Sequence, residues 1–517
     1  MTTAAANANL FVALRAGFPD DLDGVAIETI ETGLFYTWRD IERATAMFAN
    51  LLDSLDLPAA SRIAVQAEKS VESLLFYLAV LRAGHVYLPL NPAYKSDEIS
   101  YFLGDAEPAV FVCAPKDFVR ASKLAFGAGT SFVFTLGDDR CGSLLERATH
   151  FADVHEPAVR GAGDMAAILY TSGTTGRSKG AMLTHGNLLS NALTLKRYWH
   201  WRTPAEGADV LIHALPIFHV HGLFVASHGA LLAGAKTLWF ARFDARAVLR
   251  ELPRATVFMG VPTLYVRLLG EPSLTREACR AMRVFISGSA PLLLDTFVEF
   301  RRRTGHTILE RYGMSETVML TSNPYTAKEG GRRGGTVGFP LPGVALRVVG
   351  ADGAILANGS VGAIEVRGPN VFAGYWRLPE KTREEFTGDG WFRTGDVGRI
   401  DNEGYVAIVG RSKDLIISGG YNVYPAEIES VLNGMPGIAE SAVIGVPHAD
   451  FGEAVVACVV ARAGAVLDAA ALTKALKAKI ANFKVPKAIF VVAELPRNAM
   501  AKVQKNLLRE RHAALFA

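Results

Sequence analysis

The chain has 517 residues, of which 50% are hydrophobic and 20% charged, and its 54 basic and 51 acidic residues leave a net charge of +3. This is the composition of a globular protein of several domains, and it argues against a strongly basic nucleic-acid-binding surface. The four cysteines show no CxxC spacing, which disfavours a zinc site or a disulfide framework. We therefore expect a cytoplasmic protein whose partners are small molecules.

Short runs rich in Val, Ile and Phe alternate with segments of helical length through the first 330 residues. The clearest pair is a predicted strand at 62–66 followed by a predicted helix at 71–82. Further strand-like runs lie at 109–113, 166–170, 257–259 and 284–287. Strands that alternate with helices in this way predict an α/β fold with largely parallel sheets.

Residues 210–235 contain no Lys, Arg, Asp or Glu, and the segment is long enough to suggest a membrane span. It nevertheless contains four histidines and Pro216, which are unfavourable in a membrane-spanning helix. We interpret it as a buried strand–loop–helix segment and predict no membrane association.

The pattern changes near residue 330, where a Gly- and Arg-rich loop precedes short β segments at 345–349, 363–366 and 405–409. These segments predict a β-rich subdomain over about 330–412. A compact α/β pattern resumes after Arg411. We therefore predict an N-terminal domain of residues 1–412 and a small C-terminal domain of residues 413–517.

The strongest local signal is the sequence YTSGTTGRSKG at residues 170–180, directly after a predicted strand. Its glycines allow backbone amides to approach a ligand closely, and its hydroxyl and basic side chains add donors for a polyphosphate. It is not a Walker A loop, because no Gly-Lys-Ser/Thr ends it. The predicted phosphate-binding residues are Thr171, Ser172, Gly173, Thr174, Thr175, Gly176 and Lys179.

This loop resembles the phosphate-binding signature of the adenylate-forming superfamily, which includes acyl-CoA synthetases, luciferases and peptide-synthetase adenylation domains. Other signatures of that superfamily follow in the same order: SGSAP at 287–291, RYGMSE at 311–316, GYW at 374–376, WFRTGD at 391–396, GRSKD at 410–414, GGYN at 419–422 and PRNAMAK at 496–502. The resemblance implies a large adenylation domain with a mobile C-terminal lid. It also implies ATP and coenzyme A as substrates and Mg²⁺ as cofactor.

The resemblance further implies roles for individual residues. Lys502, Glu316 and Thr171 match catalytic positions, and Glu316 and Thr171 would also bind Mg²⁺. The matching nucleotide-binding positions are Ser289, Ala290, Pro291, Glu310, Arg311, Tyr312, Gly313, Met314, Ser315, Asp396 and Arg411. Gly419, Gly420 and Tyr421 match the CoA-binding face, and Lys413 matches the hinge between the domains. The chain departs from the family pattern at Ala501, where glycine is usual before the catalytic lysine.

A carboxylate–CoA ligase of this kind needs a pocket for its acid. Arg267 and Arg311 fall in segments that line this pocket in relatives, and Ser287 and His219 lie in neighbouring segments. Arginine pairs with carboxylates bidentately, so two arginines suit a dicarboxylate. The segments resemble malonyl-CoA synthetases in particular, which implies malonate, or methylmalonate, as the acid.

Alternatives remain open from the residues alone. Each arginine could instead pair with a local acid such as Glu310. The enzyme could then be a ligase for a short-chain or aryl monocarboxylate, or a standalone adenylation enzyme that loads a carrier protein. A non-catalytic nucleotide-binding regulator is disfavoured, because the predicted catalytic residues are all present.

Overall fold

The computed structural model describes residues 7–171, 178–326, 328, 330–418, 421–498 and 502–516, and in them the strands form four sheets. The predicted α/β architecture is confirmed, with a large N-terminal part, a β-rich subdomain and a small C-terminal part. Several predicted site residues lie outside the described residues: Ser172, Gly173, Thr174, Thr175, Gly176, Gly419, Gly420 and Ala501.

The largest described sheet positions the segments with the acid-binding and adenine-binding signatures. In spatial order its strands are Phe339–Pro340, Thr321–Ser322, Leu309–Tyr312, Val284–Ser287, Val257–Gly260, Val210–His213, Lys236–Trp239, Val25–Thr29 and Phe35–Thr37. The strands from Leu309–Tyr312 to Val25–Thr29 pair in parallel. Carboxyl ends of parallel strands meet at one edge of a sheet, so the loops after Ser287 and Tyr312 lie side by side.

A second sheet carries the strand that precedes the phosphate loop. Its strands, in spatial order, are Gly374–Tyr375, Lys179–Thr184, Met165–Thr171, Val86–Pro89, Arg62–Gln66, Val110–Cys113 and Phe132–Thr135. The helix Val71–Arg82 follows Arg62–Gln66, and all of its residues are buried. A helix that is buried on every side belongs in a core, and the apolar residues of this one pack in the cluster that includes residues of both sheets.

The β-rich subdomain and the C-terminal part complete the described fold. The subdomain is an antiparallel sheet of Ala345–Val349, Gly362–Arg367, Phe392–Ile400 and Val406–Arg411. The C-terminal sheet contains Tyr421–Val423, Ile416–Ser418, Gly452–Ala461, Ile438–His448 and Ala488–Val492. Its apolar clusters begin at Ile416, whereas the main cluster reaches only to Ile408. We keep the division at residues 412 and 413 as a proposal.

Helices cover the faces of these sheets. In the N-terminal part they are Leu10–Arg15, Trp38–Asp53, Val71–Arg82, Ser96–Ala106, Phe118–Gly127, Ser143–Ala148, His185–Tyr198, His228–Ala233, Ala245–Glu251, Pro262–Leu269, Leu294–Thr304 and Pro379–Glu385. The C-terminal part contributes Pro425–Asn433, Ala469–Lys477 and Lys505–His512.

The uncharged segment 210–235 folds inside the protein. It forms the strand Val210–His213, a π-helix His221–Ser227 and the helix His228–Ala233, in agreement with the strand–loop–helix interpretation. Every residue of the π-helix and of the following helix is buried. Among the described residues, none of the helices has the length and apolar character needed to cross a bilayer.

A partly buried ammonium group connects the two large sheets. Lys69, just beyond Arg62–Gln66, donates through Nζ to the carbonyl oxygens of His213 (2.8 Å) and Phe240 (2.6 Å). Nζ also lies 3.1 Å from His213 Nδ1. The other ring nitrogen of His213 lies 3.0 Å from the Gly222 carbonyl, which can only accept, so Nδ1 is left as an acceptor. Burial lowers the pKa of Lys69, but three acceptors favour its charged form.

We expect Lys69→Met to lower the free energy of unfolding by about 1–3 kcal/mol, because the Phe240 carbonyl loses the Lys69 donor and the His213 carbonyl keeps only its hydrogen bond from the Phe240 backbone N–H. Urea midpoints from circular dichroism would measure the loss. Lys116→Met is the matched control, since Lys116 makes an exposed ion pair with Glu68 that should contribute at most about 1 kcal/mol. Equal losses in the two variants would contradict the role of Lys69 between the sheets.

Candidate active site

Two neighbouring strand ends form one wall of the site. Ser287 is in register with Glu310 on the parallel strand Leu309–Tyr312, so the predicted segments after each strand are adjacent. Ser289, in the first of these segments, has a φ of +71°, which is uncommon for a residue with a side chain. Such strained conformations are found most often at functional sites.

Glu310 and Arg311 are consecutive on a strand, so their side chains point to opposite faces. Glu310 accepts a hydrogen bond from the Leu292 backbone N–H (3.0 Å), and burial raises the pKa of its carboxyl group to about 8. The Arg311 side chain is also buried, and its Nε and Nη2 atoms have no hydrogen-bond partner among the described residues. The pairing of Arg311 with Glu310, which the sequence left open, is therefore not observed.

Two histidines lie near the Arg311 guanidinium. The backbone N–H of His221 donates to His219 Nδ1 (3.3 Å), which leaves the proton of a neutral His219 on Nε2. Burial, together with the charges of Lys502 and Arg311, lowers the pKa of His219 to about 3. Burial and the charge of Arg311 also lower the pKa of His221, whose Nε2 has no described partner. Both rings are thus neutral near an unpaired cation.

On the predicted nucleotide side, an ion pair and a hydrogen bond connect three of the predicted residues. Asp396 and Arg411 are opposite each other on paired antiparallel strands, and Arg411 Nε lies 3.0 Å from Asp396 Oδ1. The hydroxyl of Tyr312, from the largest sheet, donates to Asp396 Oδ2. The buried carboxylate of Asp396 is therefore oriented by a phenol and a guanidinium, with further lone pairs available for a ligand.

Glu316, Thr171 and Lys179 lie around Tyr375. The hydroxyl of Tyr375 donates to Glu316 Oε1 (3.0 Å), and burial raises the pKa of Glu316. The Lys179 ammonium lies 4.3 Å from the centroid of the Tyr375 ring and 3.5 Å from Glu385. Thr171 is in register with Lys179 on the adjacent strand. These contacts bring Thr171, Lys179 and Glu316, the described members of the predicted phosphate and Mg²⁺ sites, into one group.

These residues fit the predicted Mg²⁺. Magnesium in nucleotide-binding enzymes uses one or two protein oxygen ligands and completes its shell with phosphates and water. Glu316 supplies a buried carboxylate and Thr171 a hydroxyl. In the part of the chain that the structure describes, no cluster of three His, Cys, Asp or Glu side chains could hold a metal by itself.

Lys502 belongs to the C-terminal part and lies near the residues described above. Its backbone N–H donates to Asn498 Oδ1 (3.0 Å). The side chain keeps contact with solvent, yet the surrounding protein lowers the pKa of Lys502, and so do the charges of Arg411 and Arg311. The charges of Asp396 and Glu316 raise the pKa of Lys502. Charged groups of both the acid side and the nucleotide side are therefore near Lys502.

Other predicted residues are not brought into this group by any described contact. Arg267 is exposed on the helix Pro262–Leu269, and its side chain has no hydrogen-bond or ion-pair partner among the described residues. Tyr421 is exposed and stacks on Phe483, with ring centroids 4.6 Å apart. Lys413 lies in the 3₁₀ turn Ser412–Asp414 between the two parts of the chain. The roles predicted for these three residues remain predictions.

Two residues of the site, Tyr375 and His221, had no predicted role. Tyr375 belongs to the quoted GYW signature. It lies in the short strand Gly374–Tyr375, which pairs with Lys179–Thr184, and its hydroxyl reaches Glu316. His221 is the second histidine of the sequence His219-Val-His. The GYW signature and the two closely spaced histidines were visible in the sequence. Glu316 and Arg311, which these residues approach, lie far away along the chain.

Known proteins resemble this chain over nearly its whole length. A family model described as AMP-binding enzyme matches residues 20–376, and one described as AMP-binding enzyme C-terminal domain matches residues 427–502. The malonate–CoA ligase of Arabidopsis thaliana is 35% identical, over 87% of this chain and 79% of that protein. A feruloyl-CoA synthase from an Amycolatopsis species is 33% identical, over 93% and 94%.

The crystal structure of ATP-bound MatB from Rhodopseudomonas palustris is 53% identical, over 99% of this chain and 100% of that one, with a TM-score of 0.95. The apo structure of MatB, with the same identity and coverage, gives 0.84. Because the two scores concern the same relative, their difference reflects conformation. The arrangement described here is the one that resembles the ATP-bound structure more closely.

The raised pKa of Glu310 has a consequence for stability. Its carboxyl group is neutral in the folded protein up to about pH 8 and ionises near its ordinary value of 4.5 when unfolded. Its contribution to stability is therefore complete below about pH 4.5 and is lost as the pH rises towards 8. Between about pH 5 and pH 8 the urea midpoint of unfolding should decrease less in Glu310→Gln than in the wild type.

The measurement is the urea midpoint of wild type and variant across that pH range. Glu384→Gln is the control, because Glu384 is mostly exposed and Lys381 is its one ion-pair partner among the described residues. If Glu310→Gln leaves the pH dependence as steep as in the wild type, the carboxyl group of Glu310 is not held neutral in the folded protein.

Proposed function

The chain belongs to the AMP-binding enzyme family and is an AMP-forming acid–thiol ligase, and we propose that the acid it joins to CoA is malonate. In the proposed reaction a carboxylate oxygen of malonate attacks the α-phosphorus of ATP, and pyrophosphate leaves. The thiol of CoA then attacks the acyl carbonyl of malonyl-AMP, which forms malonyl-CoA and releases AMP. Methylmalonate, with one more methyl group, is the nearest alternative acid.

The observation that carries this proposal is the unpaired guanidinium of Arg311. A buried charge without a partner is unfavourable. A ligand that supplies the opposite charge therefore binds with a more favourable free energy. Malonate has a second carboxylate, which remains ionised while the first one reacts. Two free guanidinium nitrogens suit this carboxylate, and the Nε2–H of His219 is a further donor nearby. Ser287, whose buried hydroxyl has no described partner, completes the proposed acid-binding group.

The nucleotide would lie along the opposite wall. The segments Ser289–Pro291 and Glu310–Ser315 would contact adenine, and the remaining lone pairs of Asp396 would accept hydrogen bonds from the ribose hydroxyls. Lys179 and the loop at 171–176 would bind the phosphates. Glu316 and Thr171 would hold Mg²⁺, which when bound neutralises phosphate charge.

Lys502 would act in the first half-reaction only. Negative charge accumulates between the acid carboxylate and the α-phosphate during adenylation, and a cation placed there stabilises it. In the described arrangement Lys502 is near the charged groups of both sides. For the second half-reaction, rotation about Lys413 would withdraw Lys502 and present the face of Gly419, Gly420 and Tyr421 to CoA.

The similarity to a feruloyl-CoA synthase keeps a monocarboxylate ligase as the second candidate. A monocarboxylate would leave the Arg311 charge without a partner, and this disfavours it. Transfer of the acyl group to a carrier protein instead of CoA would use the same first half-reaction. An assay of AMP release with a panel of acids, with and without CoA, separates these functions.

We expect malonate to support ATP–pyrophosphate exchange and, with CoA, to yield malonyl-CoA and AMP. Arg311→Met should lower kcat/KM for malonate by about two to four powers of ten, because an unpaired buried charge costs about 3–5 kcal/mol. Butyrate has no distal charge, so its kcat/KM should change little. Steady-state kinetics with both acids measures the difference.

The KM for ATP is the control in these assays, since Arg311 precedes the adenine-binding segment. Release of ADP instead of AMP would remove the enzyme from the adenylate-forming class. A wild type that uses octanoate and not malonate would contradict the dicarboxylate assignment. So would an Arg311→Met variant in which malonate and butyrate lose activity by the same factor.

We expect Lys502→Ala to abolish most ATP–pyrophosphate exchange while the release of malonyl-CoA from supplied malonyl-AMP stays within about threefold. The physical reason is that Lys502 leaves the site before the thiol attacks. Lys477→Ala, at an exposed lysine on the helix Ala469–Lys477, controls for the loss of a positive charge in the C-terminal domain. Equal loss in both half-reactions would contradict rotation about Lys413.

A further inference from the structure

We infer that Gly288 is a specificity-determining residue, because it sets the position of the Arg311 guanidinium and thereby the dicarboxylate that the site accepts. The inference rests on the proposed function and extends it to a residue outside the predicted set. Gly288 follows the strand Val284–Ser287, and Arg311 is on the neighbouring strand. The two residues are therefore cross-strand neighbours at the edge of the site.

The guanidinium lies directly against the Gly288 backbone. A Cβ atom at position 288 would be 2.4 Å from Arg311 Nη1, 2.5 Å from Cζ and 2.7 Å from Nε. These are the three nearest atoms, and real Cβ atoms do not approach others so closely. The φ of Gly288 lies outside the left-handed region, so its backbone conformation is open to alanine. A side chain at position 288 would therefore clash with Arg311.

The Arg311 side chain would move to relieve this clash, at little cost in the free energy of unfolding. The clashing atoms are the end of a flexible side chain, and Nε and Nη2 have no hydrogen-bond partner among the described residues. To reach ordinary contact distance the guanidinium must move by about 1 Å. A shift of this size in a group that orients a substrate can cost about a hundredfold in rate.

The effect should depend on the acid. The two carboxylates of malonate are separated by one methylene group, so the distal carboxylate cannot follow a displaced guanidinium while the other stays at the α-phosphate. Succinate has a longer and more flexible chain, and butyrate has no distal charge. Gly288→Ala should therefore act most strongly on malonate, less on succinate and least on butyrate.

The test is a double-mutant cycle that measures kcat/KM for malonate, succinate and butyrate in the wild type, Gly288→Ala, Arg311→Met and the double variant. We expect Gly288→Ala to lower the malonate value by about 10- to 100-fold and the butyrate value by less than about threefold. In the Arg311→Met background it should have no further effect on malonate. The unfolding midpoint and the KM for ATP should stay unchanged.

Gly331→Ala is the matched control, because a Cβ atom at position 331 would meet no atom within 4 Å. Equal losses for malonate and butyrate, an unchanged malonate value, or a full effect in the Arg311→Met background would each overturn the inference. A wild type that prefers another dicarboxylate overturns only the malonate assignment, and the cycle is then run with that acid. A wild type that uses no dicarboxylate overturns both.

Discussion

A buried positive charge is the feature on which the proposed acid side of this site depends. The burial of Arg311 is unfavourable by itself, and no described residue forms a hydrogen bond with its Nε or Nη2 atom. Glu310, its neighbour on the strand, points to the other face and is held neutral by burial. The nearby rings of His219 and His221 are also neutral, and Gly288 leaves room for the guanidinium. The charge therefore remains available to a ligand of opposite sign.

The nucleotide side is organised in the opposite way, because its charged groups are paired in advance. Asp396 is bonded to Arg411 and Tyr312, and Glu316 is bonded to Tyr375. Such contacts orient the carboxylates and leave lone pairs for hydroxyl groups or a cation. In the proposed site, one wall would thus provide fixed acceptors for a nucleotide, and the other would provide a cation for an acid. Lys502 lies near charged groups of both walls.

The regular elements were predictable where the pattern is local. The predicted strand at 62–66 and the helix at 71–82 are observed as Arg62–Gln66 and Val71–Arg82, and the predicted strand at 284–287 is Val284–Ser287. The strand Leu309–Tyr312 was not predicted, and it is this strand that directs Glu310 and Arg311 to opposite faces. The antiparallel pairing of Met165–Thr171 with Lys179–Thr184 was not predicted, because it depends on the path of the loop between them.

The ordered signatures of the sequence predict a phosphate loop, Glu316, Asp396 and Lys502 as functional groups, and the alternation of strands and helices predicts the α/β framework that the structure confirms. The sequence could not determine which charges are paired. Arg267 and Arg311 are equivalent as residue types, yet one is exposed and the other buried. That difference, and the contact of Arg311 with Gly288, arises from the packing of strands distant in sequence. Burial and pairing depend on all of the residues packed around a side chain, so the fold was needed to show that Arg311 is the buried arginine and that its Nε and Nη2 have no hydrogen-bond partner among the described residues.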